Sequence, residues 1–168
     1  MHGETNRALR PARAADLDAL AELRAEVMRE DLVRLGRYDE HRVRQRLRDG
    51  FSPAHTSVIE QDGALAGCVT VRPYENGEGL CLEHFYLAPG TQGRGLGTAV
   101  LRELLARADE EGLPVRLTVL RGSPARRLYE REGFTPESED PVDVRMVREA
   151  RTVPGPAVTG PRRPAGAR

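Results

Sequence analysis

Gln92-Gly93-Arg94-Gly95-Leu96-Gly97-Thr98 separates two stretches of different character. Before it, Leu82-Glu83-His84-Phe85-Tyr86-Leu87-Ala88-Pro89 reads as a strand. After it, Ala99-Val100-Leu101-Arg102-Glu103-Leu104-Leu105 opens a helical run. Glycines at a strand-to-helix junction leave the main chain bare. The first N–H groups of a helix have no internal partner, and the helix dipole adds partial positive charge there. Glycine lets a bulky anion approach those groups. Arg94 adds a full charge and Thr98 a hydroxyl, which together describe a phosphate or pyrophosphate cradle. The competing reading is a tight turn whose glycines serve sterics alone. A dinucleotide fingerprint is ruled out, because Gly95-x-Gly97 is followed by Val100 and no acid ends the next strand.

Outward from this junction, the chain alternates periods of two and 3.6 residues. Ala8-Leu9-Arg10 is a short strand. Asp16 is placed to cap a helix carrying Leu17, Leu20, Leu23, Val27 and Met28, which Gly36 ends. A second helix over about Asp39–Arg48 holds Val43 and Leu47 on one face and many arginines on the other, either a basic patch or a solvated face. Thr56–Glu60, the turn Gln61-Asp62-Gly63 and Ala64–Tyr74 form a hairpin, and the strand Leu80–Pro89 follows. The helix after the glycine turn buries Leu96, Val100, Leu101, Leu104, Leu105 and Ala108 and stops at Gly112-Leu113-Pro114. Val115–Leu120 is a strand, Ser123–Gly133 a short helix with Pro124 in its first turn, and Phe134–Glu137 and Val142–Glu149 close as two strands. The order βααβββαβαββ makes an α/β (α+β) fold with a mixed, mostly antiparallel central sheet flanked by helices.

The 168 residues suffice for one domain with a real core, expected over 1–150. Residues 151–168 are mostly Pro, Gly, Ala and Arg and read as a disordered tail. That tail carries four arginines and no acid, so it is +4 and residues 1–150 are −4 within a formal net charge of 0. A mildly acidic body argues against a nucleic-acid surface. No run of 18 apolar residues exists to span a membrane, and no hydrophobic signal segment opens the chain. All 26 basic residues are arginine, which excludes a lysine Schiff base and a G-x-x-x-x-G-K-[ST] loop. Cys68 and Cys81 lie in apolar strands and read as buried thiols of a cytoplasmic protein. His2, His41, His55 and His84 lack metal-ligand spacing, so no metal is expected.

Gln92-x-x-Gly95-x-Gly97 after a strand ending Leu87-x-Pro89 resembles the acetyl-CoA signature of the GNAT superfamily of N-acetyltransferases. A second block agrees. Leu120–Phe134 is similar to the family's strand–helix segment, usually an Asn followed by A-x-x-L-Y-x-x-x-G-F. The resemblance covers about residues 7–148 in element order. It implies that Phe85, Tyr86 and Leu87 offer main-chain groups to the pantetheine arm and the acetyl carbonyl. It further implies that Gln92, Gly93, Arg94, Gly95, Leu96, Gly97 and Thr98 hold the pyrophosphate. Ser123 departs from the pattern, since the family often has Asn there, and a shorter side chain loses that contact or bridges it by water. Arg126 reaches either cofactor phosphate or solvent. Tyr129 matches the tyrosine beside the CoA sulfur.

Acetyl transfer to an amine needs a proton acceptor for the ammonium, a polarised carbonyl and a proton for the leaving thiolate. Tyr129 is the general-acid candidate; otherwise it packs its helix onto the sheet. Glu83 is the base candidate, a carboxylate in an otherwise apolar strand; otherwise it pairs with a cross-strand arginine such as Arg72. His84 is the alternative base. Strand alternation puts Cys81, Glu83, Phe85 and Leu87 on one face and Leu82, His84 and Tyr86 on the other, unless a bulge intervenes. The acceptor site is expected from the first two helices and the strand-to-strand turns, with Tyr38, Asp39, Glu40, Tyr74, Glu75 and Glu78 as its polar residues. The expected function is direct transfer from acetyl-CoA to a primary amine of a small molecule, peptide or protein. The alternatives are a non-catalytic acyl-CoA sensor or interaction module on the same fold, and a structural protein with an arginine-bearing tail. An exposed strand at the sheet margin would permit a homodimer.

Overall fold

The computed structural model describes residues 6–93 and 95–152. Arg94 and the Pro/Gly/Arg-rich segment from residue 153 onward lie outside them, and so do the expectations placed there. The elements follow the order read from the sequence: β1 (Arg7–Pro11), α1 (Leu17–Arg34), α2 (Glu40–Gly50), β2 (Thr56–Gln61), β3 (Ala64–Pro73), β4 (Leu80–Leu87), α3 (Leu96–Glu111), β5 (Val115–Leu120), α4 (Ala125–Arg131), β6 (Thr135–Glu139) and β7 (Asp143–Arg148). Seven strands form one sheet in the order β1-β2-β3-β4-β5-β7-β6. Every neighbouring pair is antiparallel except β4 and β5.

Two cores flank the sheet. Under α3 and α4, Ile59, Val69, Leu82, Val100, Leu101, Phe134 and Met146 pack together. Under α1 and α2, Leu20, Leu23, Leu47, Val58, Cys68 and Tyr86 do so. Gly112 ends α3 in the left-handed conformation, φ 69°, as the sequence predicts. Asp39 caps α2 by accepting from the backbone N–H of His41 and Arg42.

Asp16 does not cap α1 as expected. A 3-10 turn, Ala14–Asp16, precedes the helix. Asp16 closes that turn by accepting from Arg13 N at 2.7 Å and holds the Arg10 guanidinium at 2.8 and 2.9 Å. The Arg10 hydrogen bonds pull its carboxyl down to about 2. A full-charge partner one strand away outcompetes an orphan helix N–H for the same oxygens.

Strict alternation in β4 also fails, through a bulge. Thr70 pairs with Glu83 and Cys68 with Tyr86, so Val69 alone faces both His84 and Phe85. His84 takes up the extra residue at φ 47°. Phe85 and Leu87 therefore join Leu82 against the α3 core, while Tyr86 points to the α1–α2 side.

Candidate active site

β4 and β5 are parallel and pair only at Leu80 with Val115 and Cys81 with Arg116. Beyond those pairs the strands diverge, and the wedge between them is the centre of the site. A cleft of about 520 Å³ runs through it, lined by Glu83, His84, Phe85 and Tyr86 from β4 and by Leu117–Leu120 from β5. α4 adds Ala125 and Tyr129, and Ser123 precedes it. A second cleft of about 540 Å³ adjoins it on the α1–α2 side and shares Arg24, Met28, Arg46 and Asp143.

The glycine turn stands at the end of β4. Gly93 and Gly95 have φ of 79° and 77°, and a Cβ at either would meet nothing within 4 Å. α3 starts from Gly95 with no side-chain cap, so the N–H groups of its first turn remain available to a ligand. Gly97 differs. A Cβ there would lie 2.9 Å from Leu87 Cδ1 and 3.9 Å from Phe85, so it serves the close packing of α3 on β4. The steric reading holds for Gly97, while Gly93 and Gly95 are open. Gln92 donates to the Leu87 carbonyl at 3.0 Å and ties the turn back to the strand. An anion that ligates main-chain N–H at a positive dipole end fits this construction.

Tyr129 is buried and stacks edge-on with Phe134 at 5.7 Å between ring centres. Its hydroxyl has no hydrogen-bond partner among the described residues, and burial raises its pKa above the ordinary phenol value. It is a proton donor at neutral pH. Ser123 Oγ accepts from Ala125 N at 3.3 Å, a local contact at the start of α4. Arg126 pairs with Glu130 at 2.6 Å and Glu139 at 3.2 Å, and it lines neither cleft.

Glu83 lies 3.1 Å from Arg72 Nε, the cross-strand pair raised above. Its other oxygen accepts from the Cys81 thiol at 3.5 Å. His84 is pulled down to about 4, first by burial, with Arg24, Arg72 and Arg46 acting in the same direction. Its Nδ1 sits 3.3 Å from the Tyr86 hydroxyl. Burial pushes both thiols up to about 12, with the Glu83 carboxylate adding to the effect at Cys81. Cys68 is fully buried, but Cys81 is half-buried and lines the wedge, contrary to expectation. Neither is a thiolate nucleophile at neutral pH. Among the described residues no cluster of His, Cys, Asp and Glu could hold a metal, and no helix is long and apolar enough to cross a membrane.

The first two helices do line both clefts, as expected of an acceptor side, but the six polar residues named for it do not. Tyr38 lies under Arg29, Tyr74 lies under Arg116, and Asp39 caps a helix. None of the six named residues lines either cleft. Arginines do instead: Arg24, Arg37, Arg42 and Arg46. The α2 arginines divide by role. Arg44 and Arg48 pair with Glu22 and Asp18 of α1, whereas Arg42 and Arg46 face the cleft. Arg24 carried a signal in the sequence. It lies four residues after Leu20 and four before Met28, on the apolar face of α1.

The profile of the acetyltransferase (GNAT) family matches residues 18–134. The chain belongs to that family. It is 46% identical over 70 residues to an amino-acid acetyltransferase of Ralstonia nicotianae, covering 40% of this chain and 15% of that one. It is 30% identical over 93 residues to an uncharacterized N-acetyltransferase of Schizosaccharomyces pombe, covering 50% and 55%. The chain thus spans little more than half, or less, of the curated relatives it matches. Its fold is similar to that of PaiA N-acetyltransferase from Thermoplasma acidophilum, solved in complex with coenzyme A. The TM-score is 0.69 at 22% identity, over 86% of this GNAT chain and 99% of that one.

Proposed function

We propose that this GNAT protein transfers the acetyl group of acetyl-CoA directly to a primary amine. The observation that carries the reading is the uncapped N-terminus of α3 behind two open left-handed glycines, just beyond β4, the strand that lines the same wedge as Tyr129. Acetyl-CoA supplies the activated acyl group. The turn Gln92–Thr98 receives the pyrophosphate, with Arg94 as a charged partner. Main-chain groups of Phe85, Tyr86 and Leu87 receive the pantetheine arm and acetyl carbonyl. Ser123 and Arg126 lie at the margin of this set, because their polar atoms have partners within the protein.

Tyr129 gives its proton to the departing thiolate and is reprotonated by the second proton that the nitrogen releases as the amide forms. Glu83 takes the proton of the incoming ammonium, directly or through water, with the Arg72 guanidinium as its ion-pair neighbour. His84 remains neutral at pH 7 and shapes the wall beside it. No covalent enzyme intermediate is needed, in keeping with two protonated thiols.

The test is thermal unfolding with and without acetyl-CoA. At about 100-fold over Kd, linkage gives roughly 2.7 kcal/mol, or about 5–10 °C. Gly95→Ala carries the backbone strain of a side chain at φ 77° without charge, and Gly95→Glu adds the charge. We expect the shift to survive in the first variant and to vanish in the second. An unshifted wild type at millimolar acetyl-CoA would remove the cradle and the transferase reading together.

A further inference from the structure

The acids and the arginines of the two clefts are engaged very differently. Of the acids, Asp31 pairs with Arg34 at 2.9 Å and Glu83 with Arg72 at 3.1 Å. Asp140 accepts from the backbone N–H of Val142 and Asp143. Only Asp143 has a side chain without a partner among the described residues. The arginines Arg24, Arg37, Arg42, Arg46 and Arg145 line the clefts, and none has a carboxylate within 4.0 Å among those residues.

Arg24 is the decisive member, because it is only 6% exposed. Its Nε donates to the Tyr86 hydroxyl at 3.0 Å and its Nη1 to the Val43 carbonyl. Nη2 has no partner among the described residues. The residue is buried, but Nη2 is not among the atoms shut off from solvent, so it opens into the clefts that Arg24 lines, where a charge-assisted hydrogen bond to an anion is the strongest contact open to it. Both acceptors fix its orientation, so the free nitrogen is aimed before any ligand is present. Arg46 on α2 lines the same two clefts. These groups belong to α1 and α2, and neither cleft they line includes a residue of the glycine turn proposed for the cofactor phosphates.

We propose that the acceptor amine carries a carboxylate, and that Arg24 and Arg46 receive it in the junction of the two clefts. This rests on the transferase reading and adds the class of acceptor to it. A guanidinium pair discriminates a carboxylate from its neutral carboxamide by charge-assisted hydrogen bonding. It also repels polyamines, whose charge has the same sign.

The test has a binding arm and a turnover arm. N-acetyl amino acids, which are products with a free carboxylate, are titrated onto the CoA-saturated protein beside their carboxamides. We expect at least tenfold weaker binding of the carboxamide, and a tenfold loss of carboxylate binding in Arg46→Gln with carboxamide binding unchanged. Arg46 is exposed, so that variant keeps its fold; Arg24→Gln is the second variant, read only if its unfolding remains cooperative. Equal binding of acid and amide, or indifference to Arg46→Gln, overturns the proposal. In the turnover arm, thiol release is followed with amino acids, their amides and polyamines. Release only with amides or polyamines leaves transfer standing and overturns the carboxylate assignment. No release with any amine, acetyl-CoA being bound, overturns the transfer reading and this proposal with it.

Discussion

Tyr129 and Glu83 line one cleft in contrasting surroundings, which suit the opposite proton transfers proposed for them. Tyr129 is surrounded by apolar side chains and keeps its proton. Glu83 sits between a guanidinium and a thiol and remains partly open to solvent. We expect Tyr129→Phe to lower kcat about 100-fold, with the acetyl-CoA thermal shift retained; equal turnover would remove the phenol from the chemistry. We expect Glu83→Gln to lower kcat/KM by a similar factor of about 10²–10³. His84→Asn should lower it far less, since Asn tolerates a φ of 47° and His84 is a weak base in place. A larger loss in His84→Asn than in Glu83→Gln would exchange the two assignments. At this scale the tyrosine and the glycine turn were readable because each is a contiguous motif. Arg24 was readable only as an anomaly, an arginine on an apolar helix face, and its meaning needed Tyr86 and Val43, which lie 62 and 19 residues away.

Among the elements, β4 determines the most, because its bulge aims the wedge. The sequence order of helices and strands was legible from periodicity and from Gly and Pro at the boundaries. The bulge was not, because nothing local in Glu83-His84-Phe85 marks which residue the partner strand will skip. Gly67 on β3 lies opposite Leu87, next to this irregularity, where the strands approach closely. A Cβ at Gly67 would collide with the Tyr86 carbonyl oxygen, a main-chain atom that cannot rotate away. We therefore expect Gly67→Ala to destabilise the protein by about 1–3 kcal/mol, measured by denaturant unfolding. If instead stability is unchanged, the strands have room that the present register does not show. Asp16 gives the same lesson about range. Its expected cap was a local guess, and the partner that displaced it, Arg10, belongs to a strand rather than to the helix.

For the whole molecule, acid should act in two stages. His84 has a folded value of about 4 against an ordinary 6.5, so the unfolded chain takes up that proton first. Stability is then level above pH 6.5 and falls between 6.5 and about 4, by an amount on the order of 2 kcal/mol after allowance for partial exposure. Asp16, pulled from 3.8 to about 2, contributes stability above pH 3.8 that is lost as pH falls towards 2. Unfolding midpoints from pH 8 to 3 check this, and His84→Asn should flatten the first stage only. The early parting of β4 from β5 has a further consequence for the molecule as a whole. Strands with unpaired main-chain groups ordinarily sit at the outside of a sheet, where they invite another chain and aggregation. Here such a pair faces inward across a gap that α4 helps to line. No second sheet can reach it, but a slim extended guest with its own amides can. Peptide N–H groups on the facing sides of β4 and β5 should thus exchange with deuterium freely in the empty protein and slow down when the gap fills, while those on the outer ladders stay unmoved.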